Sequence, residues 1–366
     1  MANPRGPERT TTAVAAQPSA VHWPGRADLP VLAVAIAAVG TSGPLIAATA
    51  APALAIALWR NVFGAGALAP YALWKHGGEL HAMSRPEWLA ALGGGVALGA
   101  HFGTWTPSLN LTSVASATAF VAAQPVFAAL IALARGEHVS RRAWLGIAVA
   151  VLGVIALSGA DLRVSTRAFG GDLLALLAGA LAAVYMTFGA KARKTLSLAP
   201  YAVICYSTAA VTLLAVDLVF RQRLVGLPAN AWLKLALLTL GAQLLGHTMF
   251  NRALKTVSAT TVSVCILLEV PTASVIAWLW LGQVPSALAI PGAVLILAGL
   301  TVLSTTGSAA GAPAAAEPAA KPAAAEAAAD AVTDAVTDAV SPGPAEGAGG
   351  DAARGADHAG LLKTGM

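Results

Sequence analysis

Between Pro30 and Thr305 the chain reads as ten apolar runs joined by short connections. They lie near 30–50, 53–74, 88–108, 112–133, 142–160, 171–190, 199–220, 230–251, 257–280 and 285–305. A helix rises about 1.5 Å per residue, so about 20 residues cross the hydrocarbon core of a bilayer. These 276 residues hold only 16 Lys or Arg and 7 Asp or Glu. A soluble domain carries about a quarter charged residues, so a water-exposed surface cannot be built here. An ordinary soluble enzyme is thereby excluded, and an all-α polytopic membrane protein with ten transmembrane helices is expected. Trp74, Trp88, Trp144, Trp232, Trp278 and Trp280 mark ends of runs, at the headgroup depth that suits an amphipathic ring.

Basic residues set the expected orientation. With the N-terminus inside, 13 Lys or Arg before the C-terminal tail face the cytoplasm, among them Lys75, Arg135, Arg141, Arg142, Lys191, Arg193 and Lys194. Five face outward: Arg163, Arg167, Arg221, Arg223 and Lys234. The bias places the protein in the cytoplasmic (inner) membrane with both termini cytoplasmic. Residues 1–29 are polar, lack a signal-type apolar stretch and read as a disordered cytoplasmic extension. Residues 306–366, rich in Ala, Pro, Gly and acids, have few large side chains to bury and read as a disordered cytoplasmic tail. The net charge of +5 thus combines a basic membrane part with an acidic tail, and no nucleic-acid partner is implied. Cys205 and Cys265 sit in apolar runs without a CxxC pair, so neither a disulfide frame nor a metal site is expected.

The chain repeats itself. At an offset of 146, Pro125 lies over Pro271, Gly136 over Gly282, Gly146 over Gly292 and Gly153 over Gly299. Two five-helix repeats follow, 30–160 and 171–305. Five is odd, so the second repeat must enter the membrane inverted. Inverted repeats with a site at their interface characterise secondary transporters.

Ala253-Leu254-Lys255-Thr256-Val257-Ser258-Ala259-Thr260, Leu267-Leu268-Glu269-Val270-Pro271 and Leu281-Gly282-Gln283 precede Gly292 to Gly299. The first half carries a similar order in Ser113 to Ala117, Gln124-Pro125, Gly136-Glu137 and Gly146 to Gly153, and Gly171-Asp172-Leu173-Leu174 opens the second. With these motifs the chain resembles the drug/metabolite transporter superfamily, in particular its EamA-like members with two EamA repeats. The resemblance covers about 275 residues. It implies a secondary transporter, most often an exporter of metabolites, amino acids or toxic compounds. It also implies a central cavity surrounded by spans 1–4 and 6–9.

Several residues could carry the chemistry. Glu269 lies near the middle of the ninth span, where a carboxylate costs a few kcal/mol and is functional by default; the alternative is a protonated acid bonded to a neighbouring helix. Gln243, His247 and Asn251 recur every four residues and form one polar face of the eighth span, a substrate-facing surface or interhelical glue. His101 and Trp105 share a face of the third span, as proton relay and stacking platform or as packing groups. Arg60 lies about seven residues into the second span. It reaches the surface, or pairs with an anion or with Glu269, and the resemblance favours an arginine there. Asp217 and Arg221 are spaced for an interfacial ion pair. Gly40, Gly43 and Pro44 predict a break in the first span, Pro125 one in the fourth and Pro271 one in the ninth. Gly93, Gly94, Gly95 and Gly99 predict close helix packing.

No HExxH, nucleophile-elbow or P-loop pattern occurs. The expected function is therefore a non-enzymatic secondary active exporter without a cofactor, driven by a gradient such as proton antiport. The alternatives are a passive facilitator or channel and a non-transport membrane scaffold or enzyme. Expected partners are a small-molecule substrate and the lipid bilayer, with a homodimer left open.

Overall fold

Two prolines divide apolar runs into shorter helices, and a third opens one. The first run forms α1 (Asp28–Gly40) and α2 (Ser42–Ala48). Pro44 has no N–H to return to the Gly40 carbonyl, and the chain turns between them at Thr41. The fourth run forms α5 (Val114–Ala122) and α6 (Gln124–Ala134). Pro125 leaves the Val121 carbonyl free, and it accepts from Ala123 N–H instead. Pro271 lies in the first turn of α11 (Glu269–Leu281), which begins after a turn at Leu267 and Leu268.

The computed structural model describes residues 28–136, 139–246, 249, 267–287 and 289–305, all within one compact unit. Among the described residues every regular element is helical. The others are α3 (Ala53–Ala82), α4 (Arg85–Ser108), α7 (Arg141–Val164), α8 (Thr166–Ala192), α9 (Leu198–Val219), α10 (Ala229–Leu237) and α12 (Ala289–Thr305). α10 continues as a π-helical stretch, Leu238–Gly246. Asp28–Ala48, Ala53–Ala82, Val114–Ala134, Thr166–Gly189 and Leu198–Val219 are long and apolar enough to cross a bilayer. The protein is a multi-pass membrane protein.

Packing follows the small residues. α3 lies on α9, α4 on α8 and α9, and α5 on α8 and α11. A Cβ at Gly95 would fall 2.7 Å from the Cys205 carbonyl oxygen, and one at Gly99 would fall 3.0 Å from that of Ala209. The glycines of α4 thus bring it against the backbone of α9, the close approach anticipated from the sequence. Gly93 and Gly94 receive the side chains of Phe188 and Tyr201.

α7 and α12 meet still more closely. A Cβ at Gly153 would lie 2.5 Å from Ile296 N, one at Gly292 2.6 Å from Leu157 N, and one at Gly299 2.5 Å from Gly146 O. Numbers rise along one helix as they fall along the other, so the two run antiparallel. Exchanging residues 146 apart turns the Gly153–Gly292 contact into the Gly299–Gly146 contact.

Charged side chains tie the helix ends. At the C-terminal end of α3, Glu79 Oε1 accepts from Ser197 N at 2.5 Å, just before α9. Glu79 also takes His76 Nδ1 at 3.1 Å, where α3 kinks (His76 φ −125°, ψ 18°). At the opposite end of α3, Lys234 Nζ donates to Ala48 O at 2.6 Å, and Trp59 Nε1 donates to Leu224 O at 2.9 Å. Each sign suits its helix dipole: a carboxylate at the start of α9, an ammonium at the end of α2. Gln283 Oε1 accepts from Val114 N, capping α5 at 3.1 Å.

Candidate functional site

Arg60 stands on the buried face of α3 with Ile56, Ala57 and Asn61, and is only 3% exposed. One turn on, Gly64 leaves room for a partner: a Cβ there would fall 2.5 Å from Gln243 Nε2. Gln243 occupies the π-helical stretch, whose wider turn shifts side chains relative to an α-helix and often marks functional positions. Arg60 Nε donates to Gln243 Oε1 at 2.9 Å. The guanidinium lies over the Phe102 ring of α4, 4.1 Å from its centroid, a cation–π contact strengthened by the absence of water.

Phe102 links Arg60 to the two ring residues singled out on α4. Its centroid is 4.8 Å from His101 and 6.3 Å from Trp105. His101 and Trp105 are stacked, 6.0 Å apart and 18° from parallel. His101 Nδ1 donates to Ala178 O of α8 at 2.9 Å. That bond places the proton on Nδ1 and joins α4 to α8, as a packing donor would.

Glu269 begins α11 and is half-buried. Glu269 and Tyr206 of α9 lie within electrostatic range of Arg60. Arg60 and Glu269 do not form a direct ion pair. His76–Glu79 is a contact of salt-bridge length, an ion pair when the imidazole is protonated. Arg60 Nη1, Trp105 Nε1 and Asn61 Oδ1 are buried without a hydrogen-bond partner among the described residues, while the Gln243 side chain hydrogen-bonds the Tyr206 hydroxyl.

The structure therefore brings together Arg60, Gln243, His101 and Trp105, with Glu269 within electrostatic reach. His247 and Asn251 lie outside the described residues. Gly40, Gly43 and Pro44 flank the turn at Thr41. A Cβ at Gly40 would strike the Thr272 side chain of α11, and one at Gly43 would lie 3.0 Å from Val114 of α5. The sequence did not single out Phe102, Tyr206 or Gly64, because an apolar ring, a lone phenol and a glycine in an apolar run carry no periodic signal.

Asp217 departs from expectation. It is fully buried, and neither carboxylate oxygen has a hydrogen-bond partner among the described residues. α9 ends at Val219, and Arg221 turns into the left-handed region at φ 51°, so the helical spacing that would pair them is lost.

A separate cavity of about 510 Å³ lies between α5, α11 and α12, lined by Ser113, Ser116, Pro271, Ser274, Ile290 and Val294 among others. Among the described residues no charged side chain borders it, and neither Arg60 nor Gln243 lines it.

Broken helices of membrane-crossing length around a buried guanidinium define a class, the polytopic α-helical membrane proteins. The chain belongs to the EamA-like transporter family, which matches it twice, over residues 29–159 and 169–305. It is similar to the uncharacterized transporter YdfC of Bacillus subtilis, 25% identical over 191 residues, 51% of this chain and 61% of that protein. It is also similar to the pseudopaline exporter CntI of Pseudomonas aeruginosa, 29% identical over 197 residues, 53% of this chain and 66% of that protein. The chain matches these relatives over less than two thirds of their own lengths. A solved crystal structure shares the fold with a TM-score of 0.54 at 19% identity, covering 76% of this chain and 98% of that one. Membership places the chain in a family of multi-pass membrane proteins described as transporters.

Proposed function

We propose that the protein is a secondary active exporter of small metabolites, amino acids or toxic compounds in the cytoplasmic membrane, with both termini cytoplasmic and proton antiport as its driving force. Its ten spans form two inverted five-helix repeats, 30–160 and 171–305. The antiparallel α7–α12 contact supports this reading, since it maps onto itself when the two halves are exchanged. CntI, an exporter by name, favours the outward direction.

The observation that carries the function is the buried charge. Arg60 is enclosed within a membrane-spanning helix, with the Glu269 carboxyl group in electrostatic range but not in contact. Such a group is costly in a bilayer and is retained where a polar solute or ion must pass. Glu269 takes a proton on the outer side and releases it on the inner side, and the freed carboxylate then favours a cationic substrate group. The breaks at Thr41 and Ala123 let the helices around the site move separately. The Glu79–Ser197 and Trp59–Leu224 bonds hold the two halves of α3, and one must open while the other stays closed.

The test compares cells expressing the wild type, Glu269→Gln or empty vector by untargeted metabolite profiling inside and outside, with membrane expression verified. A compound that leaves only wild-type cells supports an exporter dependent on Glu269. Equal export by the variant keeps transport and removes Glu269 from it. Export that ignores an imposed proton gradient in vesicles makes the protein a passive facilitator, and no movement of any compound returns it to a scaffold role.

A further inference from the structure

The cavity between α5, α11 and α12 is separate from the site around Arg60, and it opens sideways. Val284, Ile290 and Val294 on its rim are 74%, 52% and 57% exposed, while Leu157 and Val270 deeper in its wall are buried. In a membrane-spanning bundle such an apolar rim meets hydrocarbon, not water. From Ala289 to Leu297 the α12 wall rises about 12 Å. That is most of the roughly 15 Å of hydrocarbon in one leaflet. At about 510 Å³ the cavity far exceeds the voids of a packed interior, and left empty its walls would lose their dispersion contacts.

The polar groups of the wall are turned to the protein. The Thr112 hydroxyl donates to Asp172 Oδ1 at 2.8 Å, and that of Ser113 to Ser116 Oγ at 3.0 Å. Ser274 donates to Val270 O at 2.7 Å, and Ser165 Oγ accepts from Ala168 N at 2.9 Å. These groups are committed within the protein, so the space suits hydrocarbon better than a polar solute.

Charge at the mouth identifies the molecule that carries the hydrocarbon. Arg167, near the start of α8, is exposed and donates from Nη2 to Asn110 O at 3.1 Å. Asn110 adjoins the wall residue Leu111, and Arg167 adjoins the wall residues Ala168 and, across Thr166, Ser165. A guanidinium there is complementary to a phosphodiester at headgroup height. Asp172 is buried and already accepts the Thr112 hydroxyl.

We propose that this cavity is a lipid site, in which one acyl chain of a membrane glycerophospholipid lies between α5, α11 and α12 and its phosphate meets Arg167. Val270 and Pro271 of the wall belong to the first turn of α11, so an occupied cavity braces the segment that begins with Glu269. The site does not depend on the export reading.

The experiment uses the full-length protein, stripped of lipid in detergent. Native mass spectrometry counts bound lipid, and thermal melts are run alongside. The probes are dioleoyl-phosphatidylglycerol, its dihexanoyl analogue and dioleoylglycerol, which lacks the phosphate. Wild type is expected to retain one dioleoyl-phosphatidylglycerol and to melt higher with it, and not to retain the dihexanoyl analogue. Ala293→Phe and Ala115→Leu each place a larger side chain in the cavity. They should weaken retention about tenfold or more, since each displaced methylene is worth about fourfold. Val211→Phe, on an exposed part of α9 away from the cavity, is the control and should bind as wild type does. Arg167→Gln should weaken the phospholipid about fivefold and leave dioleoylglycerol unchanged.

The proposal falls if wild type retains no lipid, if the cavity variants retain it as Val211→Phe does, or if the dihexanoyl analogue is held as well. It also falls if Arg167→Gln weakens both dioleoyl lipids equally or neither. A water-soluble solute that displaces the lipid from wild type makes the cavity part of a solute path and likewise overturns it. Where one cavity variant does not fold, the other decides.

Discussion

Gly299→Ala tests the helix contact on which the repeat arrangement stands. The added methyl would sit 2.5 Å from Gly146 O, where ordinary contact begins at 3.4 Å. The neighbour on the other side is the backbone of Ala150, so no side chain can swing away, and α12 must retreat by about 1 Å. Overpacking of this kind costs about 1–3 kcal/mol, and alanine returns up to about 1 kcal/mol of helix propensity. The net loss is about 1–2 kcal/mol, which lowers the melting temperature by roughly 2–6 °C for a chain of this size. Gly66→Ala is the control, because nothing lies within 4 Å of its added carbon. It should be neutral or stabilising by about 0.5–1 kcal/mol. Tryptophan fluorescence melts in one detergent measure both. Equal melting temperatures for the two variants would refute the contact. Gly153→Ala should match Gly299→Ala within about 0.5 kcal/mol if the halves are related as proposed. The double variant should cost less than the sum, because a single separation of the helices relieves both clashes.

Other outcomes follow from the same structure. Glu79→Ala removes the acceptor for Ser197 N and should lower stability by about 1 kcal/mol; Glu79→Gln, which keeps an acceptor, should recover most of it, and an unchanged Ala variant would sink the idea. Lys234→Met should cost about 0.5–1 kcal/mol through the lost dipole and hydrogen-bond contact at Ala48 O, read in the same melts. Asp217→Asn should melt higher than the wild type, because a buried acid without partners is replaced by a neutral group; a lower melting temperature contradicts this. Glu87, just before the third span, is held below the usual carboxylate range by the Thr195 hydroxyl first and by Ser84 next. Its contribution is present above the unfolded value of about 4.3 and fades as pH falls through the folded one, so wild type and Glu87→Gln should converge in melts carried to low pH.

Much of the architecture was legible because a bilayer leaves few choices. A backbone group in hydrocarbon must be satisfied within its own helix, so apolar runs of the right length could become little else. Breaks were equally legible at Pro44 and Pro125, since a proline's missing N–H is a local fact. The pairing of Asp217 with Arg221 failed for the opposite reason. It assumed that α9 continued past Val219, and the left-handed turn at Arg221 cannot be read from spacing. Gln243 was visible as a polar residue in an apolar run, but the π-helical turn that aims it at Arg60 was not.

The sequence by itself determined that this chain lies in a membrane, where its helices break, which family it resembles and which residues are too polar to be there without cause. Hydropathy and proline chemistry act over a few neighbouring residues, and one strand of text contains them. Only the tertiary structure decided that Arg60 meets Gln243 across 183 positions and that Phe102 lies beneath it. Those facts depend on which helix faces carry glycine and so approach closely, and that is settled only when every helix has packed against its neighbours.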